Sequence, residues 1–288
     1  MKQAFLLGVY KNPEYVRHLI LSLSSDKTNI YVHINKDNYE TFLDVIDFFK
    51  GWSNVVFLHN IKVMWGGSTL LDSIKSMLKE ALSNKDNQWF HLVTGQDILI
   101  KPLSQFIDFF NGNNYNNYVS YSPLPPNEQR RFNRFHLYDA INVRSKLAYR
   151  CLENIINRLP DHLLDIRKRL GFNKLYWGSG WWSLRRDAAE YILNELNESN
   201  LEKRLRHTFA PDEMIVQTLL LNAKQNFHVV NDNLRFMIWN GASGPKDLSL
   251  DDFDKLKETN AFFARKIDTA KYPELFHKIN KELNKTEI

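Results

Sequence analysis

The residues with chemistry to offer sit at a few short junctions of the chain. Pro211-Asp212-Glu213 stands just ahead of an apolar run in which Ile215 and Leu219 are four apart and Met214 and Leu221 seven apart. That spacing predicts a buried helix beginning near Pro211. Proline suits a first helical turn, where its missing N–H would go unpaired anyway, and acids there lie in the favourable field of the helix dipole. Helix-start chemistry accounts for both acids. The sharper reading makes Glu213 a general base, held ionised at a helix N-terminus and aimed into a cleft. Trp65-Gly66-Gly67-Ser68-Thr69 is a second junction, between a strand and a helix. Its glycines let a backbone approach a ligand, and a helix start attracts anions, although a plain turn uses the same residues. Thr94-Gly95-Gln96-Asp97 is a third, ending an apolar run on a single acid.

These junctions need elements to position them. Ala4–Tyr10, Asn29–Asn35, Val55–His59 and Gln88–Thr94 read as buried strands, being short runs of aliphatic, β-branched and aromatic residues. Helical patterns lie between them at Pro13–Ser24, Tyr39–Phe49 and Thr69–Leu82, the last with Leu70, Leu71, Ile74, Met77, Leu78 and Leu82 on one face and Thr69 with Asp72 as a capping box. Strand–helix alternation implies an α/β fold with a mostly parallel sheet and ligands at the carboxyl ends of its strands. Tyr10, His33 with Asn35, and Asp97 fall there. Tyr118–Pro123 reads as a further strand, Asn127–Arg169 as a basic helical excursion, Tyr176–Leu184 as an aromatic, glycine-rich strand, and Asp187–Leu196 as a helix. Strand-like Phe227–Val230 and Arg235–Trp239 follow, then helical Leu250–Glu258, strand-like or irregular Ala261–Ile267 and an amphipathic tail helix, Tyr272–Leu283.

Composition bounds the class. A chain of 288 residues, 43% hydrophobic and 25% charged, has the make-up of a globular protein. One cysteine, Cys151, precludes an internal disulfide and fits a reducing compartment. The opening residues carry only a short apolar run, cut by Lys11, Asn12 and Pro13, and read as a strand leaving its sheet rather than a signal peptide. No run reaches the roughly 18 apolar residues of a spanning helix, so a cytoplasmic location is expected. The net charge of +5 is spread among acids with no basic stripe, which argues against nucleic acid. Phosphate-bearing small molecules and an anionic membrane face remain compatible. The tail, with Lys278, Lys281 and Lys285, reads first as a docked helix and second as a contact with the inner membrane face.

Six motifs stand in order: Tyr-Val-His-Ile-Asn-Lys (31–36), Trp-Gly-Gly-Ser (65–68), Gly-Gln-Asp-Ile-Leu-Ile-Lys (95–101), Gly-Ser-Gly-Trp-Trp (178–182), Pro-Asp-Glu (211–213) and Phe-Phe-Ala-Arg-Lys-Ile-Asp (262–268). Together they resemble the core-2/I-branching β-1,6-N-acetylglucosaminyltransferase family (glycosyltransferase family 14), in a bacterial-type form. That family also includes peptide xylosyltransferases. The resemblance runs from Ala4 to Asp268 and implies a GT-A-type fold, an inverting mechanism and independence from metal. Metal-dependent nucleotide-sugar transferases usually hold a divalent cation on the diphosphate with an Asp-x-Asp pair. Here the strand ends on Asp97 alone, and the one literal Asp-x-Asp, Asp252-Phe253-Asp254, reads as capping at a late helix.

By the same resemblance Glu213 is the catalytic base, and a basic pair replaces the cation on the UDP diphosphate. Lys266 falls on the lysine of Phe-Ala-x-Lys, Lys246 on its partner in the preceding loop, and Arg265 lies beside them. Preorganised cations stabilise a leaving diphosphate as a metal would. Tyr10, His33, Asn35, Trp65, Gly66 and Asp97 are assigned to the nucleotide, with Trp65 stacking beside uracil. Asn35 stands where the family has a uracil-binding Asp, and its amide oxygen still accepts from an imide N–H. The acceptor side is assigned Arg130, Arg134, Gly178, Ser179, Gly180, Trp181, Asp212 and Trp239. The chain then divides into a nucleotide-sugar half (1–123), a helical insertion near the acceptor (124–170), an acceptor and catalytic half (171–268) and the tail (269–288), all within one domain. No metal or other cofactor is expected. The expected donor is a UDP-sugar, first UDP-N-acetylglucosamine and alternatively a xylosyl, other pentosyl or other hexosyl donor. The expected acceptor is a glycan or lipid-linked saccharide of a cell-surface polysaccharide. A non-catalytic carbohydrate-binding protein is the alternative of another class.

Overall fold

The computed structural model describes residues 1–112, 115–133, 136–139, 170–198, 201–240 and 244–285, together with residues 147, 151, 154, 155, 158, 160 and 168. The strands are β1 (Lys2–Val9), β2 (Thr28–Ile34), β3 (Val55–Leu58), β4 (Asn87–Thr94), β5 (Asp97–Leu99), β6 (Asn117–Val119), β7 (Ser122–Pro123), β8 (Tyr176–Trp177), β9 (Trp182–Arg185), β10 (Val229–Val230), β11 (Arg235–Met237) and β12 (Phe263–Arg265). Among the described residues seven of them form the main sheet in the order β10-β6-β9-β4-β1-β2-β3, with three more in a small sheet β11-β12-β5. In the main sheet β4, β1, β2 and β3 run parallel, β10 is parallel to β6, and β9 runs against both β4 and β6. This is the mostly parallel, helix-flanked sheet expected from the strand–helix alternation.

Alternation along the central strands explains why both faces are covered. Phe5, Leu7 and Val9 of β1 face one apolar core with Val32, Trp89 and Val93. Ala4 and Leu6 face the other with Phe90 and Leu92. The helix Pro13–Leu23 covers the first core through Val16, Leu19, Ile20 and Leu23. The helix Thr69–Ser83 covers the second through Leu71, Ile74, Met77, Leu78 and Ala81. Each such side chain taken fully out of water stabilises by about 1.5–3 kcal/mol, so Leu78→Ala, at a site with 0% exposure, costs about 2–5 kcal/mol. The tail helix Pro273–Ile279 buries Leu275, Phe276 and Ile279 in the first core, with Phe276 edge-on to Tyr15. Its apolar face is therefore spent on docking. No helix among the described residues is long and apolar enough to cross a membrane.

Several boundaries differ from the sequence reading, each for a local reason. The predicted Thr69–Asp72 capping box does not form. The helix N-cap is Ser68, and the Thr69 hydroxyl instead accepts from Met64 N–H at 2.8 Å. The segment predicted as one helix over Tyr39–Phe49 divides into a 3-10 turn, Lys36–Phe42, and a short helix, Leu43–Phe48. The aromatic run Tyr176–Leu184 is two strands, interrupted where Gly178 to Trp181 leave the sheet. The strand expected over Tyr118–Pro123 is likewise split between β6 and β7. Pro211–Glu213 is a single 3-10 turn, and the α-helix starts only at Ile215. Met214 breaks the continuity, with φ −129° and ψ −43°. The sequence reading also missed β5, the helix Leu103–Gly112 and the short helix Leu201–Leu205. Most of the predicted excursion Asn127–Arg169 lies outside the described residues. The described part holds the helix Gln129–Asn133.

Candidate functional site

Glu213 reaches its place through a sharply bent approach. His207 and Ala210 both take left-handed backbone angles, with φ of 65° and 49°, which non-glycine residues adopt at a cost. The bends swing the chain under the Trp65–Ser68 loop, where Ala210 N–H donates to the Gly66 carbonyl at 2.7 Å. Gly66 has φ +77°, and a Cβ there would lie 2.6 Å from the Phe209 ring. Only glycine fits between that ring and the loop. On the other side, Gly178 N–H donates to the Glu213 carbonyl at 2.9 Å. A Cβ on Gly178 would sit 1.9 Å from the Ser120 carbonyl oxygen. The glycine-rich segment can approach the Pro-Asp-Glu turn because it carries no side chain there. These main-chain bonds join three of the six motifs around one carboxylate.

The acids of the turn are electrostatically distinct. Burial pushes the Glu213 carboxyl above the ordinary range; Arg131 opposes this with its positive charge and Glu128 adds to it. Burial, then the charge of Glu213, pushes Asp212 up to about 7. Asp212 Oδ1 is buried and has no hydrogen-bond partner among the described residues, while Oδ2 stands 2.8 Å from where a Cβ on Gly180 would be. Ser179 is held by Gln217, whose amide donates to the Ser179 carbonyl at 2.8 Å, and by Asn233, which donates to its hydroxyl at 2.6 Å. The predicted acceptor-side residues Gly178, Ser179, Gly180, Trp181 and Asp212 are thus one cluster. Trp239 lies two residues beyond the end of β11 and is 60% exposed. The side chain of Arg130 and all of Arg134 lie outside the described residues. The arginine that reaches Glu213 is Arg131, with Nη1 3.3 Å from Glu213 Oε2. Three arginines in Arg130-Arg131-Phe132-Asn133-Arg134 offered the signal, but sequence alone does not single out Arg131.

The basic residues divide into a buried brace and an open pair. Arg265 stands opposite Asp97 in the antiparallel β12–β5 register. Its Nη1 lies 3.1 Å from Asp97 Oδ1 and donates to the Thr94 hydroxyl at 3.2 Å. Its guanidinium lies 3.7 Å from the centre of the Trp181 ring. Arg265 and Asp97 are 7% and 0% exposed, so the two residues assigned to the diphosphate and the nucleotide are paired with each other. Both brace the Trp181 platform from behind. Lys266 and Lys246 lie on adjacent backbones, Lys266 N–H donating to the Lys246 carbonyl at 3.4 Å. The Lys266 amine runs beside Gly244 and has no ion pair among the described residues. Lys246 Nζ is 2.8 Å from Asp252 Oδ1. Asp252 also caps its own helix through Ser249, so that acid of the late Asp-x-Asp does serve as a cap. Burial disfavours its charge, yet the bonds from Lys246 and Ser249 leave its carboxyl below the ordinary range.

On the nucleotide side, Trp65 is 55% and Tyr10 50% exposed. Trp65 meets Phe209 edge-on at 5.6 Å, and the Tyr10 hydroxyl donates to Gln96 at 3.4 Å. Asn35 holds the main chain of Val63 at both its ends, donating to the carbonyl at 3.0 Å and accepting from the N–H at 3.2 Å. His33 is buried, and burial lowers its ring pKa to about 4. The residue assigned to the nucleotide is thus a buried residue of β2, and its Nε2 has no hydrogen-bond partner among the described residues. The N-terminus of the Thr69–Ser83 helix is not open to an anionic ligand either. Asp139 already fills it, accepting from Ser68 N–H, from the Ser68 hydroxyl at 3.0 Å and from His207 N–H at 3.2 Å. No periodicity announces Asp139, which is distant in sequence from the loop it holds. Among the described residues no group of three or more His, Cys, Asp or Glu is placed to hold a metal ion.

Comparison with known proteins gives a consistent family. The family model described as Core-2/I-Branching enzyme matches residues 3–257. Xylosyltransferase 2 of Rattus norvegicus is 23% identical over 92% of this chain and 32% of its own length. Xylosyltransferase 1 of Rattus norvegicus is 22% identical over 88% of this chain and 32% of its own. Human xylosyltransferase 1 is 22% identical over 87% and 27%. The chain thus spans about a third of the length of these curated relatives. A proposed glucose-1-phosphate thymidylyltransferase of Bacillus anthracis, solved with sucrose, aligns over 70% of this chain and 78% of its own with 12% identity. Its TM-score of 0.34 is too low to bear on the fold.

Proposed function

Because the chain belongs to the Core-2/I-Branching enzyme family, we propose that it transfers a sugar from a UDP-sugar to a hydroxyl of a glycan, with inversion and without a metal ion. Glu213 takes the proton of the acceptor hydroxyl, the oxygen forms a bond to the anomeric carbon, and the bond from that carbon to UDP breaks with its electrons leaving on the diphosphate. The product linkage is β. No acid is needed on the leaving side, since the diphosphate departs as an anion stabilised by Lys266 and Lys246. Lys246 does this while sharing its charge with Asp252. Trp65 offers an open face to the uracil, and Asn35 shapes that pocket by holding Val63. Trp181, Asp212 and Trp239 line the acceptor side.

The observation that carries this reading is the convergence on Glu213. Gly66 of the donor-side loop and Gly178 of the acceptor-side loop are each hydrogen-bonded to the turn that bears it. Metal independence is supported by Asp97, the acid at the strand end where a metal-dependent transferase holds its cation, because it is buried and tied to Arg265. The donor sugar is N-acetylglucosamine in our first reading. Xylose is the second, favoured by relatives that are xylosyltransferases.

Release of UDP from a panel of UDP-sugars, in excess EDTA and then in Mn²⁺, tests both points. Turnover of UDP-N-acetylglucosamine in EDTA supports the first reading, and turnover of UDP-xylose alone supports the second. Turnover that demands Mn²⁺ removes the metal-independent mechanism. Absence of turnover and of binding for every UDP-sugar removes the transferase reading itself.

A further inference from the structure

Three contacts fix Arg131. Its Nη1 lies 3.3 Å from Glu213 Oε2 and 3.6 Å from Glu128 Oε2. Its guanidinium lies 4.5 Å from the centre of the Phe209 ring. The Arg131 carbonyl also accepts from Phe209 N–H at 3.0 Å, so main chain and side chain are both tied to the segment that leads into Pro211-Asp212-Glu213. Phe209 is in turn the ring that Gly66 admits beneath the donor-side loop.

A free surface pair of these charges would contribute almost nothing, because two long side chains must be ordered in water to make it. Here the Arg131 and Glu213 side chains are only 28% and 32% exposed, and the aromatic stack orders the guanidinium in advance. Resting on the reading of Glu213 as the base, we infer that Arg131 is a positioning residue: it holds Oε2 of Glu213 and leaves Oε1 to receive the acceptor proton. Among the described residues, the charged groups that face Glu213 from the elements packed around it are Arg131, Glu128 and the adjacent Asp212. Two of these are acids, and burial already favours the protonated, inactive form of Glu213. Arg131 supplies the opposing positive charge. A merely structural Arg131, packed on Phe209, would change stability and leave the titration of Glu213 where it is.

The test is a titration of the Glu213 carboxyl by ¹³C NMR in protein labelled at the glutamate side-chain carboxyls, its resonance assigned by its loss in Glu213→Gln. In Arg131→Gln the midpoint moves up by about 1 pH unit or more, as expected when an opposite charge within about 4–6 Å is removed. Arg131→Lys keeps most of the charge effect while losing the planar fork. The acidic limb of kcat/KM for UDP release moves with the midpoint. An unmoved midpoint in folded Arg131→Gln overturns the inference. Should that variant fail to fold, Glu128→Gln removes the competing acid at the same guanidinium and must move the midpoint down; no movement again overturns it. The two readings separate in Glu213→Gln. Full activity there sinks the base assignment and this inference with it, whereas an inactive Glu213→Gln beside an unmoved midpoint sinks the Arg131 inference alone.

Discussion

Replacing Arg265 by alanine distinguishes a buried brace from a diphosphate ligand. Arg265 and Asp97 face each other across β12 and β5 at 3.1 Å, with side chains 8% and 0% exposed. Without Arg265 the Asp97 carboxylate keeps, among the described residues, the Thr94 N–H and hydroxyl as donors and the nearby charge of buried Arg235. Removing one partner of a buried pair costs about 3–5 kcal/mol, because the other charge stays buried and uncompensated. Loss of the guanidinium from the Trp181 face adds about 1 kcal/mol. At about 2–4 °C per kcal/mol for a domain somewhat smaller than this one, the melting temperature falls by roughly 8–24 °C. Circular dichroism melts of Arg265→Ala, Asp97→Asn and the double variant measure this at pH 7. The double variant should lose less than the sum of the singles by about 1 kcal/mol or more, the mark of direct coupling. UDP binding, measured by calorimetry well below the melting transition, should stay within a few-fold of wild type. A loss of less than about 1 kcal/mol of stability together with a tenfold or greater loss of UDP affinity would refute the brace and restore Arg265 to the diphosphate.

The neighbouring lysine should behave in the opposite way: Lys266→Ala leaves the melting temperature within about 2 °C, since a partly exposed residue with little packing costs under about 0.5 kcal/mol, but weakens UDP binding tenfold or more. Gly178→Ala drives a methyl group to within 1.9 Å of a main-chain oxygen, and its soluble yield and melting temperature should both collapse, because backbone on both sides cannot give way. Asp212→Asn should change the pH dependence of stability. The native carboxyl titrates near 7 against an ordinary value of 3.8, so between those values the folded state holds a proton that the unfolded state has lost, and stability falls as pH rises. Removing that ionisation should raise the melting temperature at pH 8 and leave it little changed at pH 4. An equal gain at both pH values would show that the buried charge is not the cause.

What could be read in the sequence follows the period of its apolar residues. The runs at 4–10, 29–35, 55–59 and 88–94 are strands because their residues are apolar on both faces and bounded by turn formers, and the structure shifts their ends by a residue or two. The Leu103–Gly112 helix went unread, although Pro102 stands before it and Phe106, Ile107 and Phe110 share one face. Contacts made across long separations were not legible. Asp139 reaches the Ser68 turn 71 residues away, and Arg131 reaches Glu213 from a helix of five residues. Neither leaves a periodic trace. Arg265 and Lys266 show the limit most clearly. Adjacent in sequence and alike in charge, they meet different surroundings: Arg265 ends β12 opposite buried Asp97, and Lys266 lies beyond the strand beside Gly244. The glycines carried better information, since Gly66 and Gly178 mark places where backbones must pass close.

The most direct measurement is the kinetic and binding behaviour of Glu213→Gln with the donor that the wild type turns over. Glutamine keeps the shape of the side chain and can still accept a hydrogen bond from Arg131, but it cannot take a proton at neutral pH. Loss of general-base catalysis of this kind costs about 10²–10⁴-fold in rate. The expected result is a kcat lower by that factor, with UDP-sugar affinity within a few-fold of wild type and an unchanged melting temperature. Transfer at near wild-type rate by a folded Glu213→Gln enzyme would contradict the assignment of Glu213 as the base on which this site is built.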